Sequence, residues 1–257
     1  MNRKYQSLTL LKERALKNKP LQKNAKGLNQ KALPHWGTVK PNCLNIYDQG
    51  DIGSCTANAF CGAFKILDVI KNGQITFEPS RLFVYYYERL MEGGNPEVDS
   101  GADVVDGENY VKNYGVCSES LWPYDTTKFA IKPPVRCSVE ALNHKISSYE
   151  VFPMNKHLLN NIKQSIINHN PVMIGCAVYE SFESEFTART GMVTLPTQTE
   201  NEIGGHEMCI VGYNDDKNLF TVMNSWGPNW GHGGFCYLPY DYITNPQLSF
   251  EFTHFTL

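Results

Sequence analysis

The fold of this chain is decided by the stretch Gln49-Gly50-Asp51-Ile52-Gly53-Ser54-Cys55-Thr56-Ala57-Asn58-Ala59. Its two glycines allow tight turns, and the apolar spacing from Ala57 to Leu67 predicts a mostly buried helix. Cys55 then lies at the start of this helix, where the positive end of the helix dipole favours the thiolate, which is the nucleophilic form. Because cysteine is also among the most buried residue types, an inert structural cysteine is the alternative.

Two segments near the C-terminal end contain what a nucleophilic cysteine requires, namely a base to take its proton and a third group to hold that base. In the first segment, Gly204-Gly205-His206-Glu207-Met208, a histidine opens a strand-like run. In the second segment, Met223-Asn224-Ser225-Trp226-Gly227, an asparagine closes another run. Each segment alone could be a solvated histidine or an ordinary turn. Their joint occurrence with Cys55 favours a catalytic site.

The motifs Gln-x5-Cys, Gly-His and Asn-Ser-Trp-Gly, in this order, resemble the papain family of cysteine peptidases. The resemblance is to the disulfide-poor relatives of bacteria and large DNA viruses more than to animal or plant lysosomal enzymes. It implies an α+β, papain-like fold in which a helical half and a β-barrel-like half face each other across an active-site cleft. Helices predicted in the first half, with a start near residue 80 and over 104–114, and strands predicted in the second half agree with this class. The strands are predicted at about 172–179, 206–213, 219–225, 234–238 and 248–256.

The resemblance also implies a role for each residue of the site. Cys55 would be the nucleophile and His206 its general base and acid, while Asn224 would orient the imidazole. Gln49 and the backbone N–H of Cys55 would form an oxyanion hole, which stabilises the negative charge that grows on the carbonyl oxygen in the transition state. Trp226 would keep water away from the histidine–asparagine hydrogen bond.

A substrate-binding surface follows from the same resemblance. It would include Gly101 and Ala102 in the glycine-rich wall of the cleft, together with Trp226 and Trp230. Glu207 is unusual, because relatives usually have a small apolar residue directly after the catalytic histidine, lining the pocket for the side chain two positions before the cut. A carboxylate there would favour a basic or polar substrate side chain, unless Glu207 turns outward.

The expected function is that of a cysteine-type endopeptidase, which hydrolyses peptide bonds through an acyl-thioester intermediate. An amidase, transpeptidase or isopeptidase would use the same three groups on another amide, and a catalytically silent peptide-binding module is the alternative of a different class. No Cys-x2-Cys or His-x3-His spacing indicates zinc. We therefore expect no metal and no organic cofactor.

Residues 1–32 form a basic arm ahead of a peptidase domain expected at 33–257. The arm has nine lysines and arginines and one glutamate, hence a charge of +8, which leaves −11 for the rest of a chain whose total is −3. Opposite charges predict that the arm and the body attract each other. The arm is interpreted as a short propeptide laid over the cleft, as a targeting or packaging tail, or as a solvated tail.

The peptidase domain is expected to divide into a helical half at about 33–135 and a β-rich half at about 136–257. A total charge of −3 is too close to balance to indicate nucleic acid or a membrane as the main partner. No run of about 18 apolar residues is present that could span a membrane. The expected partner is a peptide or protein substrate, and the expected state is a monomer.

Cysteine usage and the absence of a secretory signal point to a protein that is not secreted. The apolar run Leu8-Thr9-Leu10-Leu11 is too short for a signal peptide, and the chain has no Asn-x-Ser/Thr sequon. Secreted relatives pair a cysteine three residues before the nucleophile with one ahead of the glycine-rich wall. Here the first position is Ile52, and residues 97–102 contain no cysteine. We therefore expect a cytoplasmic or virion-associated protein with reduced cysteines.

Overall fold

The computed structural model describes residues 3–17 and 32–257, so the part of the predicted arm at 18–31 and the first two residues lie outside the described residues. The helices are α1 (Leu8–Lys17), α2 (Cys55–Asn72), α3 (Arg81–Met91), α4 (Val104–Tyr114), α5 (Val135–Ala141), α6 (Leu158–Ile167), α7 (Glu185–Thr190) and α8 (Tyr240–Thr244). The strands are β1 (Trp36–Thr38), β2 (Ser148–Phe152), β3 (Val172–Tyr179), β4 (Glu202–Asn214), β5 (Leu219–Met223), β6 (Phe235–Pro239) and β7 (Ser249–Thr256). Among these helices, none combines the length and the apolar character needed to cross a bilayer.

The strands form one antiparallel sheet in the order β2-β7-β3-β4-β5-β6, with β1 added to one end of β4. The α+β class is therefore confirmed. The barrel-like half, however, is an open sheet. Its outer strands β2 and β6 are five residues each, and within the described residues they pair with β7 and β5 and not with each other.

The predicted buried helix after the cysteine loop is confirmed as α2. The helix begins at Cys55, and nearly every side chain in its first four turns is buried. It ends at Gly73, whose φ of 77° is the left-handed conformation that terminates many helices and that glycine adopts without steric cost. Because α2 packs against β3 and β4 on one side and α3 and α4 on the other, its N-terminal residue is held between the two halves.

Side-chain caps fix the starts of the two helices that flank α2. The Ser80 hydroxyl accepts a hydrogen bond from the Phe83 N–H at 3.2 Å, and the Asp103 carboxylate accepts one from the Val105 N–H at 2.8 Å. Serine and aspartate are preferred at this position because they satisfy an N–H that has no partner inside the helix. The helices predicted with a start near residue 80 and over 104–114 are confirmed.

Two large hydrophobic cores lie on opposite sides of the sheet, and the predicted division into a helical half and a β-rich half stays a prediction. The first lies between the helices and one side of the sheet and contains Phe60, Phe83 and Val111. The second lies on the other side of the sheet, under α6 and α8, and contains Ile162 and Phe220. The exact boundary between the halves, near residue 135, stays a prediction.

The strands predicted at 172–179 and 248–256 are confirmed nearly to the residue. The strand predicted at 206–213 begins earlier, at Glu202, because the first residues of β4 pair with the end of β3. The structure adds β2, which the sequence did not indicate because four of its five side chains are partly or fully exposed. It also adds the short helices α5, α7 and α8.

The described part of the basic arm is docked on the acidic body. Residues 8–17 form α1, and ion pairs join the arm to the body at three places: Arg3 with Glu183 at 2.5 Å, Lys4 with Asp99 at 3.0 Å, and Arg14 with Glu92. These contacts agree with the predicted attraction between the +8 arm and the −11 body. The arm runs through the region where the candidate site residues meet.

Candidate active site

Cys55 is the first residue of α2, and its side chain is almost fully buried, with 2% exposure. The loop before it is held by two hydrogen bonds from opposite directions. The Gly53 N–H donates to an Asp99 carboxylate oxygen at 2.9 Å, and the hydroxyls of Ser54 and Tyr124 lie 2.6 Å apart. These bonds fix the cysteine at the point where the helical half meets the sheet.

His206 and Asn224 come together on the sheet side of the site. The Nε2 atom of His206 lies 2.7 Å from the Asn224 side-chain oxygen, which also accepts the Ser225 N–H at 2.7 Å. Because that oxygen can only accept, Nε2 is assigned as the protonated nitrogen. Nδ1 is then the nitrogen that is able to take a proton from a thiol.

Trp226 lies over this pair, whereas the predicted part of Trp226 and Trp230 in binding substrate stays a prediction. Its ring stacks on the His206 ring with centroids 4.8 Å apart and an interplanar angle of 25°. Trp230 packs edge-on against Trp226 at 4.8 Å and stacks with Phe182. Both tryptophans are buried, so Trp226 shields the histidine and Trp230 holds Trp226 in place.

Gln49 is fixed by both ends of its side-chain amide. The oxygen accepts a hydrogen bond from the Ser225 hydroxyl at 2.6 Å, and the nitrogen donates to the Ile52 carbonyl at 3.2 Å. The backbone N–H of Gln49 also donates to the Ser225 carbonyl at 2.9 Å. An amide nitrogen has two N–H donors, so this arrangement is compatible with the predicted oxyanion role, which stays a prediction.

The arm enters the site as an extended strand at Gln6. The Gln6 N–H donates to the Gly205 carbonyl at 3.2 Å and the Gln6 carbonyl accepts from the Gly205 N–H at 2.9 Å, next to His206. The Gln6 side-chain amide lies 3.3 Å from the Cys55 sulfur and donates to it. The cleft therefore already holds a peptide segment against the candidate nucleophile.

The residues before Gln6 cover the histidine and its tryptophan. The Tyr5 ring meets the rings of His206 and Trp226 edge-on, with centroids 6.5 Å and 6.2 Å away. The Arg3 guanidinium lies 4.1 Å above the Trp226 ring, and both Arg3 and Tyr5 are hydrogen-bonded to Glu183. The arm thus excludes water from the base as well as from the sulfur.

Burial of the site, to which the docked arm contributes, sets its protonation. Burial raises the pKa of Cys55 to about 11, although the Glu207 backbone and the Gln6 amide lower it. Burial likewise lowers the pKa of His206 to about 4, against the opposing effect of the Asn224 hydrogen bond. The thiolate favoured by the helix dipole is therefore not the form present while the arm is docked, because loss of hydration outweighs the dipole.

The glycine-rich segment at Gly101 lies against the Gln6 side chain. Gly101 has a φ of 72°, and a side chain at this position would overlap the Gln6 side chain. The Gly101 N–H donates to the Tyr85 hydroxyl at 3.2 Å. Ala102 is fully buried. Gly101 thus lies against the arm in the cleft, and the predicted part of Gly101 and Ala102 in binding substrate stays a prediction.

Glu207 turns inward, so the alternative that it points to solvent is wrong. Its side chain is 2% exposed, and neither carboxylate oxygen has a hydrogen-bond partner within residues 3–17 and 32–257. Burial raises the pKa of this carboxyl well above its usual range, and the nearby Glu251 raises it further. The predicted influence of Glu207 on substrate choice stays a prediction.

Three residues at the site were not anticipated from the sequence. Gln6 and Tyr5 lie in an arm whose only visible signals are charge and a few leucines, and nothing there marks a glutamine as a contact of the sulfur. Glu251 could have been suspected, because it is an acidic residue flanked by phenylalanines in a predicted buried strand. Such a residue breaks the apolar pattern and marks a possible site.

Comparisons with known proteins identify a family and relatives of this chain. The profile described as "Papain family cysteine protease" matches residues 35–247. An uncharacterized peptidase C1-like protein of Acanthamoeba polyphaga mimivirus is 40% identical over 217 residues, which is 82% of this chain and 70% of that protein. Cathepsin S of Bos taurus is 27% identical over 212 residues, covering 80% of this chain and 60% of cathepsin S.

A solved structure matches over the whole chain. Xylellain, a cysteine protease from Xylella fastidiosa, superposes with a TM-score of 0.80 and 31% identity, covering 100% of this chain and 97% of that one. The profile, the mimivirus relative and this structure agree on the family. The chain belongs to the papain family of cysteine proteases.

Proposed function

We propose that this protein is a cysteine endopeptidase. The Cys55 sulfur attacks a peptide carbonyl carbon while its proton passes to Nδ1 of His206. The histidine then gives that proton to the departing amine, which breaks the C–N bond and leaves an acyl-thioester. Water, deprotonated by the same nitrogen, hydrolyses the thioester and restores the thiol. Asn224 holds the ring in the orientation that both proton transfers need.

One observation carries the proposal: a peptide strand, the arm at Gln6, is hydrogen-bonded to β4 beside His206 and brings an amide group to 3.3 Å from the Cys55 sulfur. A cleft that holds a strand in this way can hold a substrate in the same way. The 3.3 Å distance is a hydrogen bond from the amide nitrogen to the sulfur, so a polar group of a bound segment reaches the nucleophile.

The oxyanion that forms on the carbonyl needs two donors. We assign these to the Cys55 backbone N–H, at the start of α2, and to the second N–H of the Gln49 amide. The assignment is supported by the fixed position of Gln49, which the Ser225 hydroxyl and the Ile52 carbonyl hold from two sides. Preorganised donors stabilise the transition state because no reorganisation is needed during the reaction.

The arm is the second part of the proposal: residues 1–32 act as a short inhibitory propeptide. The support is that Gln6 occupies the place of substrate on Cys55 and that the arm removes water from the thiol and the imidazole. A neutral thiol is a poor nucleophile. The enzyme is then silent until the arm leaves the cleft or is cut.

We further propose that the protein acts as a monomer on peptides or proteins, in the cytoplasm or in association with a virion. All eight cysteines, which all lie within the described residues, are free, as suits a reducing environment. The mimivirus protein, which is 40% identical, supports the viral branch of this alternative. Secretion would be supported instead by disulfides in the isolated native protein.

The test uses a peptidyl epoxide, which alkylates activated cysteines, on full-length protein under reducing conditions. An arm-release variant, Leu8→Asp/Arg14→Ala, removes the apolar contact of Leu8 with Ala177 and Phe250 and the Arg14–Glu92 ion pair. We expect labelling at Cys55, at least tenfold faster in the arm-release variant. Cys55→Ala must abolish the label, whereas Cys61→Ala, which removes another buried cysteine of α2, must not.

Cleavage of a peptide blocked at both ends separates an endopeptidase from an amidase or isopeptidase, since only an endopeptidase cuts the internal bond. If neither protein is labelled and no peptide is cut, the proposal fails, and a catalytically silent peptide-binding module explains the cleft better. Equal labelling of the full-length protein and the arm-release variant would reject the inhibitory role of the arm alone.

A further inference from the structure

A buried carboxyl group contacts the turn that carries the nucleophile but takes no part in the proposed proton transfers. Glu88 on α3 is fully buried, and its Oε1 atom accepts a hydrogen bond from the Thr56 hydroxyl at 2.6 Å. Thr56 is itself fully buried and follows Cys55 directly in the first turn of α2. One hydrogen bond therefore joins α3 to the turn that begins with the candidate nucleophile.

The second oxygen of this carboxyl, Oε2, is buried and has no hydrogen-bond partner within the parts of the chain that the structure describes. It lies against α4 at Gly107, where a side chain would come within 2.9 Å of it. The glycine thus makes room for the carboxyl. Helices α2, α3 and α4 meet at Glu88, and the acid is enclosed by the fold rather than placed at its surface.

The neighbouring guanidinium does not supply the missing partner. Arg89 is also fully buried. Its N–H groups donate to four backbone carbonyls, those of Tyr85, Pro96, Val98 and Phe129. Arg89 therefore acts on the Glu88 carboxyl through space, by its charge, and not through a hydrogen bond between the described side chains.

A purely structural link between α2 and α3 explains this acid poorly. A buried polar oxygen without a hydrogen bond destabilises a protein, and two apolar side chains of similar size would join the helices without that cost. Glu108 on α4 has the more usual arrangement, because both its oxygens accept from the Thr253 hydroxyl. Departures from the usual pattern are typical of functional sites, and this one lies next to Cys55 along the chain.

The surroundings of Glu88 favour its neutral form near neutral pH. Burial raises the pKa of Glu88 to about 8, against the opposing effects of the Thr56 hydrogen bond and the Arg89 charge. The ionisable groups coupled to it are Cys55 and Cys61 on α2, Tyr85 and Arg89 on α3, Asp103 at the start of α4, and Arg14 on α1. A negative charge on Glu88 raises the pKa of Cys55, because it disfavours a second negative charge on the sulfur.

We propose that Glu88 is a positioning residue of the peptidase: through Thr56 it holds the first turn of α2, and its ionisation at alkaline pH opposes the thiolate of Cys55 and so limits activity. The inference rests on the proposed endopeptidase function and adds a residue that acts on the nucleophile from the helical side. The protonated acid keeps the acceptor for Thr56 without adding a negative charge near the sulfur. The ionised acid keeps the acceptor but adds that charge.

The experiment measures kcat/KM for a peptide blocked at both ends from pH 6 to 9.5, on the arm-release variant Leu8→Asp/Arg14→Ala with and without Glu88→Gln. Glutamine keeps an oxygen that accepts from Thr56 and cannot ionise. We expect the two rates to agree within about twofold at pH 6, and Glu88→Gln to be faster by about threefold or more at pH 9.5, because loss of a nearby negative charge favours the thiolate. Iodoacetamide labelling of Cys55 should show the same trend.

The matched control is Glu140→Gln, at a carboxylate on α5 that accepts from the Ser118 N–H and hydroxyl. It should leave kcat/KM within about twofold of the parent at both pH values, since Glu140 is not among the groups that act on Cys55.

A second pair of variants leaves Glu88 in place. Thr56→Val removes the donor to Glu88, whereas Thr56→Ser keeps a hydroxyl. Because the Thr56 hydrogen bond lowers the pKa of Glu88, its loss should move the alkaline decline of kcat/KM to a higher pH in the valine variant than in the serine variant. Active-site titration with the epoxide corrects every rate for the fraction of folded enzyme.

A purely structural role would change the rate of Glu88→Gln by the same factor at every pH. That result, a slower Glu88→Gln enzyme at pH 9.5, or identical pH profiles for Thr56→Val and Thr56→Ser overturns this inference alone. No cleavage by any of these proteins and no label on Cys55 overturn the endopeptidase proposal with it.

Discussion

His206 and Glu207 are neighbours on β4 and are equally buried, but they differ in how their polar atoms are satisfied. The histidine has a short hydrogen bond to Asn224 and a stacked Trp226 ring. The Glu207 carboxylate has no hydrogen bond within the described residues, and the carboxylate of its neighbour Glu251 also lacks one. One group is held in a single orientation by the protein, while the other still requires a partner.

The difference follows from the alternation of side chains along a strand. Successive residues point to opposite faces, so His206 faces the asparagine and the tryptophan, while the Glu207 carboxylate packs beside Gly175, where a side chain would overlap the Phe250 ring. A preorganised base suits proton transfer, which needs a fixed geometry. A buried acid without a hydrogen-bond partner lowers stability when it is charged, because its carboxylate loses water without gaining a donor. The predictions below test these two assignments.

The largest effect is expected for His206, the residue that is hydrogen-bonded to Asn224. His206→Ala should lower kcat/KM for peptide cleavage by the arm-release variant by at least about 10³-fold, because general acid–base catalysis contributes roughly 10²–10⁴. The measurement is a fluorogenic peptide assay. His232→Ala, at an exposed histidine that contacts Tyr237, should stay within about twofold. A His206→Ala rate within tenfold of the parent would remove the histidine from the mechanism.

The second prediction tests whether the docked arm excludes water from Cys55, next to His206. With the arm docked, the Cys55 pKa is about 11, so the thiolate fraction and the alkylation rate of the full-length protein should rise about tenfold per pH unit from pH 6 to 9. The arm-release variant should react faster at pH 7 and level off at a lower pH, since rehydration lowers the pKa. Iodoacetamide labelling, followed by peptide mass mapping, measures both curves.

Identical pH profiles for the two proteins would contradict the conclusion that the arm controls the protonation of Cys55. Labelling at Cys43, which is partly exposed and whose thiol is hydrogen-bonded to the Val39 carbonyl, is the internal control. Because burial rather than the arm raises its pKa, its rate should be the same in both proteins.

Much of this arrangement could be predicted from the sequence. Cys55, His206, Asn224 and Gln49 were assigned from short motifs whose order is specific to the family, and the three main helices followed from apolar periodicity and capping residues. Periodicity works there because α2 is buried on nearly all sides and α4 ends at a glycine. These features depend on local chain chemistry, which a sequence displays directly.

The rest depends on contacts between distant parts of the chain. The approach of Gln6 to Cys55 joins residues 49 positions apart, and no local pattern predicts which arm residue reaches the sulfur. The inward turn of Glu251 depends on a register shift between β3 and β7. The thiol pKa was misjudged for the same reason, because the dipole of α2 is visible in the sequence and the water exclusion by the arm is not.

The third prediction concerns the unpartnered residue. The raised pKa of Glu207 means that the folded protein holds a proton that the unfolded chain loses above about pH 4.5, so this residue makes stability fall as pH rises. Glu207→Gln cannot ionise. In a Cys55→Ala background, it should match the parent at pH 4.5 and exceed it by about 2 kcal/mol in free energy of unfolding at pH 8, measured with urea.

The matched comparison for this prediction is Glu140→Gln, at a carboxylate that accepts hydrogen bonds from the Ser118 N–H and hydroxyl. Because these donors stabilise the charged form, its replacement should not raise stability at pH 8. If Glu207→Gln were less stable than the parent at pH 8, the carboxylate would have a partner after all, and the contrast with His206 would disappear.

The smallest effect separates two cations of the arm. The Lys4–Asp99 pair is 3.0 Å long, but the Lys4 side chain is 50% exposed, and exposed ion pairs contribute about 1 kcal/mol or less. Lys4→Ala should therefore raise epoxide labelling of the full-length protein less than about fivefold, and 0.5 M salt should remove the difference because it screens exposed charges. Arg14→Ala, at a buried guanidinium that binds Glu92 and Gln6, should raise labelling more, and the increase should persist in salt. If both substitutions raise labelling equally and salt removes both increases, general charge attraction holds the arm in the cleft, and the contacts of Arg14 with Glu92 and Gln6 add nothing to it.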